Sequence, residues 1–200
     1  VLASIGLVAS AGVNWVRSPF WGHQYVIGKT FDSGIVPTKT TAKPLPPSVQ
    51  PLSPNRIVIP ALNAQAPIVP VGDANRELEV PENPLVAGWW QGGVKPGARK
   101  GTAIIAGHIN YAGVQGALGR IGDLKPGNTV YIYGVRTGNQ KVRLTLKVAA
   151  VRTYEKATLP YAEIFNQNSP GRVAIVTCGG PFDNATGNYL DNIVVYAVPV

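Results

Sequence analysis

Arg172-Val-Ala-Ile-Val-Thr-Cys178-Gly-Gly-Pro-Phe182 carries a run of β-branched and small apolar residues into a glycine-proline stretch. It also delivers the only cysteine among 200 residues. Val173 to Val176 has no polar interruption, so it reads as a buried strand rather than a half-exposed one. Gly179, Gly180 and Pro181 are expected to end that strand and leave Cys178 at the rim of a sheet. A thiol on a fixed backbone at such a rim is well placed to attack a substrate. The competing reading is a small buried hydrophobe, since free cysteine is among the most buried residue types.

Seventy positions upstream, Gly101-Thr-Ala-Ile-Ile-Ala-Gly-His108-Ile-Asn110 repeats the pattern, an apolar strand ending in glycine and then histidine. At neutral pH a cysteine is only a few per cent thiolate, and a nucleophilic one needs a basic or cationic neighbour brought close by the fold. His108 meets that need, and a lone Cys with a distant His fits the pattern. The chemistry such a pair supports is acyl transfer. Cys178 attacks a peptide carbonyl to form a thioester, and His108 protonates the leaving amine and later takes a proton from the incoming one. Backbone N–H groups at the strand-end turn are candidates for holding the oxyanion.

Outward from these two segments, Arg56 to Pro60 and Ala66 to Val71 read as proline-punctuated strands, hence edge or terminal ones. Leu78-Glu-Val-Pro81 and Gly88 to Gly93 are short pieces between turns, and Leu118 to Leu124 is a short helical turn before a Lys125-Pro-Gly127 bend. Thr129 to Val135 and Val142 to Thr153 alternate as strands around the turn 136–140, and Asn192 to Val198 is the last strand. Seven or eight short strands with almost no 3.6-residue periodicity predict a closed or sandwich-like β architecture over residues 55–200.

The N-terminal quarter is different. Residues 1–16 are apolar or small apart from Asn14 and the serines, and Arg17, Phe20, Trp21 and Tyr25 follow as interfacial flanks do. Residues 1–27 are expected to be the remnant of an N-terminal membrane anchor, the alternative being a helix packed on the domain. Residues 28–54 carry Pro37, Pro44, Pro46, Pro47, Pro51 and Pro54 among Thr, Lys and Ser, and read as an extended linker or an arm along the domain. The other histidine, His23, lies before this linker and reads as a surface residue.

Lys and Arg total 18 against 10 Asp and Glu, a net charge of +8. The basic residues are scattered and no nucleic-acid-reading motif accompanies them, so the charge points to an anionic cell envelope rather than to DNA or RNA. Neither His108 nor Cys178 has metal-spaced partners and the acids are dispersed, so no metal and no cofactor are expected.

The segments Ile57-Val-Ile-Pro-Ala-Leu-Asn63, Leu78-Glu-Val-Pro81, Ala87-Gly-Trp-Trp90, Gly101 to His108, Leu124-Lys-Pro-Gly127, Val176-Thr-Cys-Gly-Gly-Pro-Phe-Asp183 and Tyr189-Leu-Asp-Asn-Ile-Val-Val-Tyr-Ala197 resemble the sortases, most of all the class F sortases of actinobacteria. The resemblance runs in order from about Arg56 to Ala197. It implies an eight-stranded β-barrel with short helices, preceded by the apolar segment and the Pro-rich arm. It also implies a cysteine transpeptidase that cuts a Leu-Pro-Xaa-Thr-Gly-like sorting signal of secreted proteins and joins the acyl group to a peptidoglycan-precursor amine. The protein would sit on the extracytoplasmic face of the membrane, anchored through its N-terminus.

One departure stands out. Sortases use an arginine on the strand after the cysteine, and no arginine follows Cys178 here. Counted from Gly187 it would fall near Asn192, with Leu190 on the same face. Asn192 and Arg120 are the candidate replacements for positioning substrate or the oxyanion, with Arg152 and Arg172 as weaker ones suited to strand ends with their heads in solvent. Thr177 is a site-lining residue by resemblance. Trp89, Trp90 and Tyr111 suit either a peptide groove or the core, while Asp183 and Asp191 read as turn and strand-end residues. The other readings are a non-catalytic envelope-binding barrel and a cysteine hydrolase without transfer. The L,D-type wall transpeptidases, which also use Cys and His, have a serine-rich lead into the cysteine that is missing here.

Overall fold

The computed structural model describes residues 3–5, 31–39, 41, 43–74 and 77–200. The anchor expected over 1–27, and His23 with it, lies outside them apart from the backbone of Ala3–Ile5. Among the described residues no helix is long and apolar enough to cross a membrane.

The strands in chain order are β1 (Ala3–Ile5), β2 (Ser33–Gly34), β3 (Ser53–Ile59), β4 (Ala64–Val71), β5 (Asp73–Ala74), β6 (Glu77–Val80) and β7 (Ala87–Trp90). Then come β8 (Thr102–Ala106), β9 (Asn110–Tyr111), β10 (Val114–Gln115), β11 (Thr129–Arg136), β12 (Gln140–Glu155), β13 (Arg172–Asp183) and β14 (Asn188–Pro199). The one α-helix among the described residues, α1, is a single turn over Tyr161–Ile164. The main sheet runs β11-β3-β4-β7-β8-β13-β14-β12, and pairing of β11 with β12 closes it into an eight-stranded barrel. β2 adds to β12 outside the closure, and β1, β6 and β5 form a small separate sheet.

β8, β13 and β14 explain why their sequences read as unbroken apolar runs. Ala103, Ile105, Val173, Ile175, Ile193 and Val195 face the barrel interior. Their neighbours Ile104, Ala106, Ala174, Val176, Val194 and Tyr196 face outward yet are buried too, under Leu78, Val80 and Ile164. Strands covered on both faces lose the alternation that water on one side would impose.

Two expectations about proline and glycine are corrected by the fold. β3 and β4 are not edge strands, since both lie within the closed barrel. β4 tolerates Pro67 and Pro70 because it pairs with β3 over Ala64–Pro67 and with β7 over Ile68–Val71, so each half is bonded on one side only. β13 does not stop at Cys178 but runs to Asp183, because a bulge between Gly179 and Phe182 takes up the irregularity. Gly180, at φ 71°, supplies the left-handed backbone there.

The Pro-rich stretch is tied to the barrel at several described points. Val49 and Leu52 enter the main core, and arginines hold its carbonyls. Arg152 donates to Ser33 O and Gly34 O, Arg172 to Pro37 O, Arg99 to Leu45 O and Arg136 to Gln50 O. A proline-rich segment has spare carbonyls and few N–H groups, so guanidinium donors are the natural complement.

Candidate active site

β8 and β13 are parallel neighbours, in register from Thr102↔Arg172 to Ala106↔Val176. Gly107 N donates to Val176 O at 3.1 Å, extending the ladder by one bond. His108 and Cys178 each follow the last pair of this register by two residues. By strand parity both side chains belong to the outward face of the barrel, with Ile104, Ala106, Ala174 and Val176. The candidate site is therefore on the outer face of the barrel wall, at the ends of β8 and β13.

Thr177 points the other way and is sealed from solvent. Its hydroxyl donates to Gly107 O at 2.8 Å, which pins the two strand ends together directly under the Cys178 and His108 positions. On the far side of β13, Asn192 is the cross-strand partner of Cys178. Asn192 is 1% exposed, and its Nδ2 and Oδ1 have no hydrogen-bond partner. A buried amide with both ends free is costly unless something polar meets it. Arg120 lies in the turn before a 3-10 helix at Ile121–Asp123, with its side chain 57% exposed and its Nε bonded to Asp123 at 3.1 Å. Among the described residues Arg120 makes no hydrogen bond or ion pair with β13. Arg152 and Arg172, expected with their heads in solvent, instead turn them onto the arm, because its carbonyls are better acceptors in a half-buried place than water is.

His108 is 9% exposed and stacks on Tyr111, with ring centroids 4.9 Å apart. Burial pulls its pKa below 6.5, partly opposed by a hydrogen bond to the Pro81 backbone. Nε2 is buried without a partner, which leaves Nδ1 as the nitrogen facing Pro81. The ring is thus held by one nitrogen and free at the other, as a general acid–base needs. Of the other aromatics, Trp89 is in the barrel core and Trp90 packs edge-on against Phe165.

The histidine's backbone is fixed by the β9–β10 hairpin folding back on it. Ala112 (φ 47°) and Gly113 (φ 84°) make its two-residue turn, Gly116 N bonds Ile109 O, and Asn110 Nδ2 donates to the Tyr189 hydroxyl at 2.7 Å. A Cβ on Gly116 would lie 1.9 Å from His108 O, closer than any side chain is tolerated. Gly116→Ala is expected to displace His108 by about an ångström and to lower kcat about 100-fold, as such misplacements do. Stability should fall by only about 1–3 kcal/mol. Steady-state kinetics beside a thermal melt would check this split.

Cys178 is partly buried. Desolvation pushes its thiol above the ordinary 9.0, while the positive charge of Lys156 pulls the other way. Nothing in the sequence flags Lys156. It follows Glu155 at a strand end and reads as a solvated charge, yet it is 6% exposed. Among the described residues no three His, Cys, Asp or Glu side chains cluster as a metal site would need.

Residues 57–200 match the Sortase domain family. The chain belongs to that family. Sortase C-1 from Actinomyces oris superposes with a TM-score of 0.54 at 20% identity, covering 76% of this chain and 76% of that one. Sortase C1 of Streptococcus agalactiae, solved in a complex with MTSET, gives 0.55 at 17%, with 74% and 69% covered. Sortase A from Corynebacterium diphtheriae gives 0.53 at 19%, with 74% and 61% covered. At these identities the likeness is one of fold. No curated protein sequence matches the chain.

Proposed function

We propose that this chain is a cysteine transpeptidase, most like the class F sortases, that cleaves a Leu-Pro-Xaa-Thr-Gly-like sorting signal and transfers the acyl group to a cell-wall amine. The observation that supports the reading is the parallel pairing of β8 and β13 in a sortase-family barrel, with His108 two residues beyond the last pair on one strand and Cys178 two beyond it on the other. The Cys178 thiolate adds to the scissile carbonyl. The C–N bond breaks as imidazolium His108 gives its proton to the leaving amine, and a thioester remains. An incoming amine then attacks the thioester, His108 takes its proton, and the thiolate leaves. Asn192, buried and unpaired beside the nucleophile, is the group of this chain best suited to meet a substrate carbonyl. Phe182 and Leu190, about half exposed just past Cys178 on β13 and β14, suit the apolar part of the signal. On this reading the substrates are secreted proteins and the acceptor is a peptidoglycan precursor. The enzyme works at the extracytoplasmic face of the membrane, held by its N-terminus.

Mass spectrometry of the protein incubated with a panel of sorting-signal peptides tests this. The expected result is an acyl adduct on Cys178 that an added glycine-based amine resolves into a ligated product. Release of free acid alone, undiverted by the amine, would make the protein a hydrolase. No adduct with any peptide would leave an envelope-binding barrel.

A further inference from the structure

β12, β14 and β13 lie side by side, and one row across them is Tyr154, Asn192 and Cys178. Lys156 is two residues beyond Tyr154, at the start of the 3-10 helix that ends β12, and so returns to the same face of the sheet as Cys178. It is 94% removed from solvent on a relative exposure of 6%. Among the described residues no carboxylate is in salt-bridge contact with this side chain, although the residue as a whole is buried. A buried cation costs several kcal/mol unless a negative group meets it. The charged and titratable groups around it are Cys178 on β13, Asp191 on β14, Glu155 on its own strand and, across Cys178, His108 on the segment after β8. Of these, the thiol and Asp191 are the ones its charge acts on, and the thiol shares its face of the sheet. Asp191 is itself pushed up by desolvation and by Glu155, with Lys156 pulling it down more weakly.

We propose that Lys156 is the cation that stabilises the Cys178 thiolate, supplying from the end of β12 a positive charge that no arginine after Cys178 provides. The thiol's proton leaves to solvent or to His108, and Lys156 keeps its own. It acts as a fixed charge beside the nucleophile and takes no part in proton transfer. The inference deepens the transpeptidase reading and rests on it for its purpose, though the ion pair itself is measurable without any substrate.

Because Cys178 is the chain's only cysteine, its rate of alkylation by iodoacetamide as a function of pH reports its thiolate directly. Lys156→Met is expected to move the midpoint of that profile up by about one unit and to slow alkylation at pH 7.5 about tenfold. Lys156→Arg should stay within about threefold of the parent, because charge rather than amine chemistry is what matters. An unchanged alkylation profile in a folded Lys156→Met would overturn the proposal and leave Lys156 as the counter-charge of Asp191 and Glu155. The two readings fail separately. A parent that forms the acyl adduct while Lys156→Met alkylates normally sinks only the lysine's role, and a shifted profile in a protein that never acylates sinks only the transpeptidase.

Discussion

Cys178→Ala is expected to abolish acyl transfer, with a loss of at least about 10⁴-fold in kcat/KM, and to leave the fold intact. Removing a nucleophile leaves no second route to the covalent intermediate, whereas removing an acid–base leaves the nucleophile in place. His108→Gln should therefore fall less far, by about 10²–10⁴-fold. The pH profile of the parent separates the two roles. Burial lowers His108 from 6.5 and, on balance, raises Cys178 from 9.0. At pH 7 the resting pair is therefore neutral imidazole and thiol, while attack needs thiolate together with imidazolium. Even the unshifted values would leave about 0.3% of molecules in that form, the antilog of their difference, and the shifts reduce it further. The expected kcat/KM profile is a broad bell. Its acid limb falls below pH 6.5, where the thiolate is further depleted without any gain in imidazolium. Its alkaline limb lies above pH 9.0, where the thiolate is complete and the imidazolium is lost. In His108→Gln the bell should give way to a single rise through the thiol's titration to an alkaline plateau, because only the thiolate is then required and there is no imidazolium left to lose. A narrow bell centred on neutrality, or a profile in which His108→Gln keeps both limbs, would exclude this pairing.

Arg172→Leu should be the most destabilising single change outside the site, at about 3–5 kcal/mol, or a fall in Tm of roughly 6–20 °C. The guanidinium is 4% exposed and donates to Thr102 Oγ1 at 2.9 Å, Pro37 O at 2.8 Å and Glu163 O, with its carbon 4.7 Å above the Tyr196 ring. It thus joins the start of β8, the arm, α1 and β14 at one point. Burial lowers its pKa, but an arginine stays charged at any pH a protein survives. Leucine would fill part of the space and leave three acceptors unpaired, which is what makes the loss large. Arg172→Lys, which keeps the charge but not the fork, should lie between the two. Urea melts of the three proteins check the order. Equal stability of Arg172→Leu and the parent would mean that the arm is not held from this residue.

Several features were legible in the chain because they follow from local chemistry. The apolar runs at Ala103–Ala106 and Val173–Val176 are too continuous for a surface strand, and both prove to be covered on two faces. Turn chemistry at 136–140 separates two strands that the structure pairs as β11 and β12. Glycine and proline were the misleading signals. Gly179-Gly-Pro181 ends strands in most settings, but here β14 stays alongside and a bulge absorbs the break. Pro67 and Pro70 signal an edge, yet β4 changes its bonded side midway. Arginine was equally ambiguous, since the same residue type serves a solvated strand end or a carbonyl clamp, and only the path of the arm distinguishes them.

The sequence by itself determined a β-rich barrel of the sortase kind and nominated one thiol and one imidazole, because strand length, turn residues and a solitary cysteine are properties of short segments. Only the tertiary structure decided that β8 and β13 run parallel with Ala106 level with Val176, that Asn192 lies opposite the cysteine with its amide unpaired, and that Lys156 is buried at the end of β12. Those are relations between strands 14 to 70 residues apart along the chain, set by which edges pair and where the barrel closes. No local pattern encodes them, because a lysine after a strand reads the same whether water or a thiol awaits it.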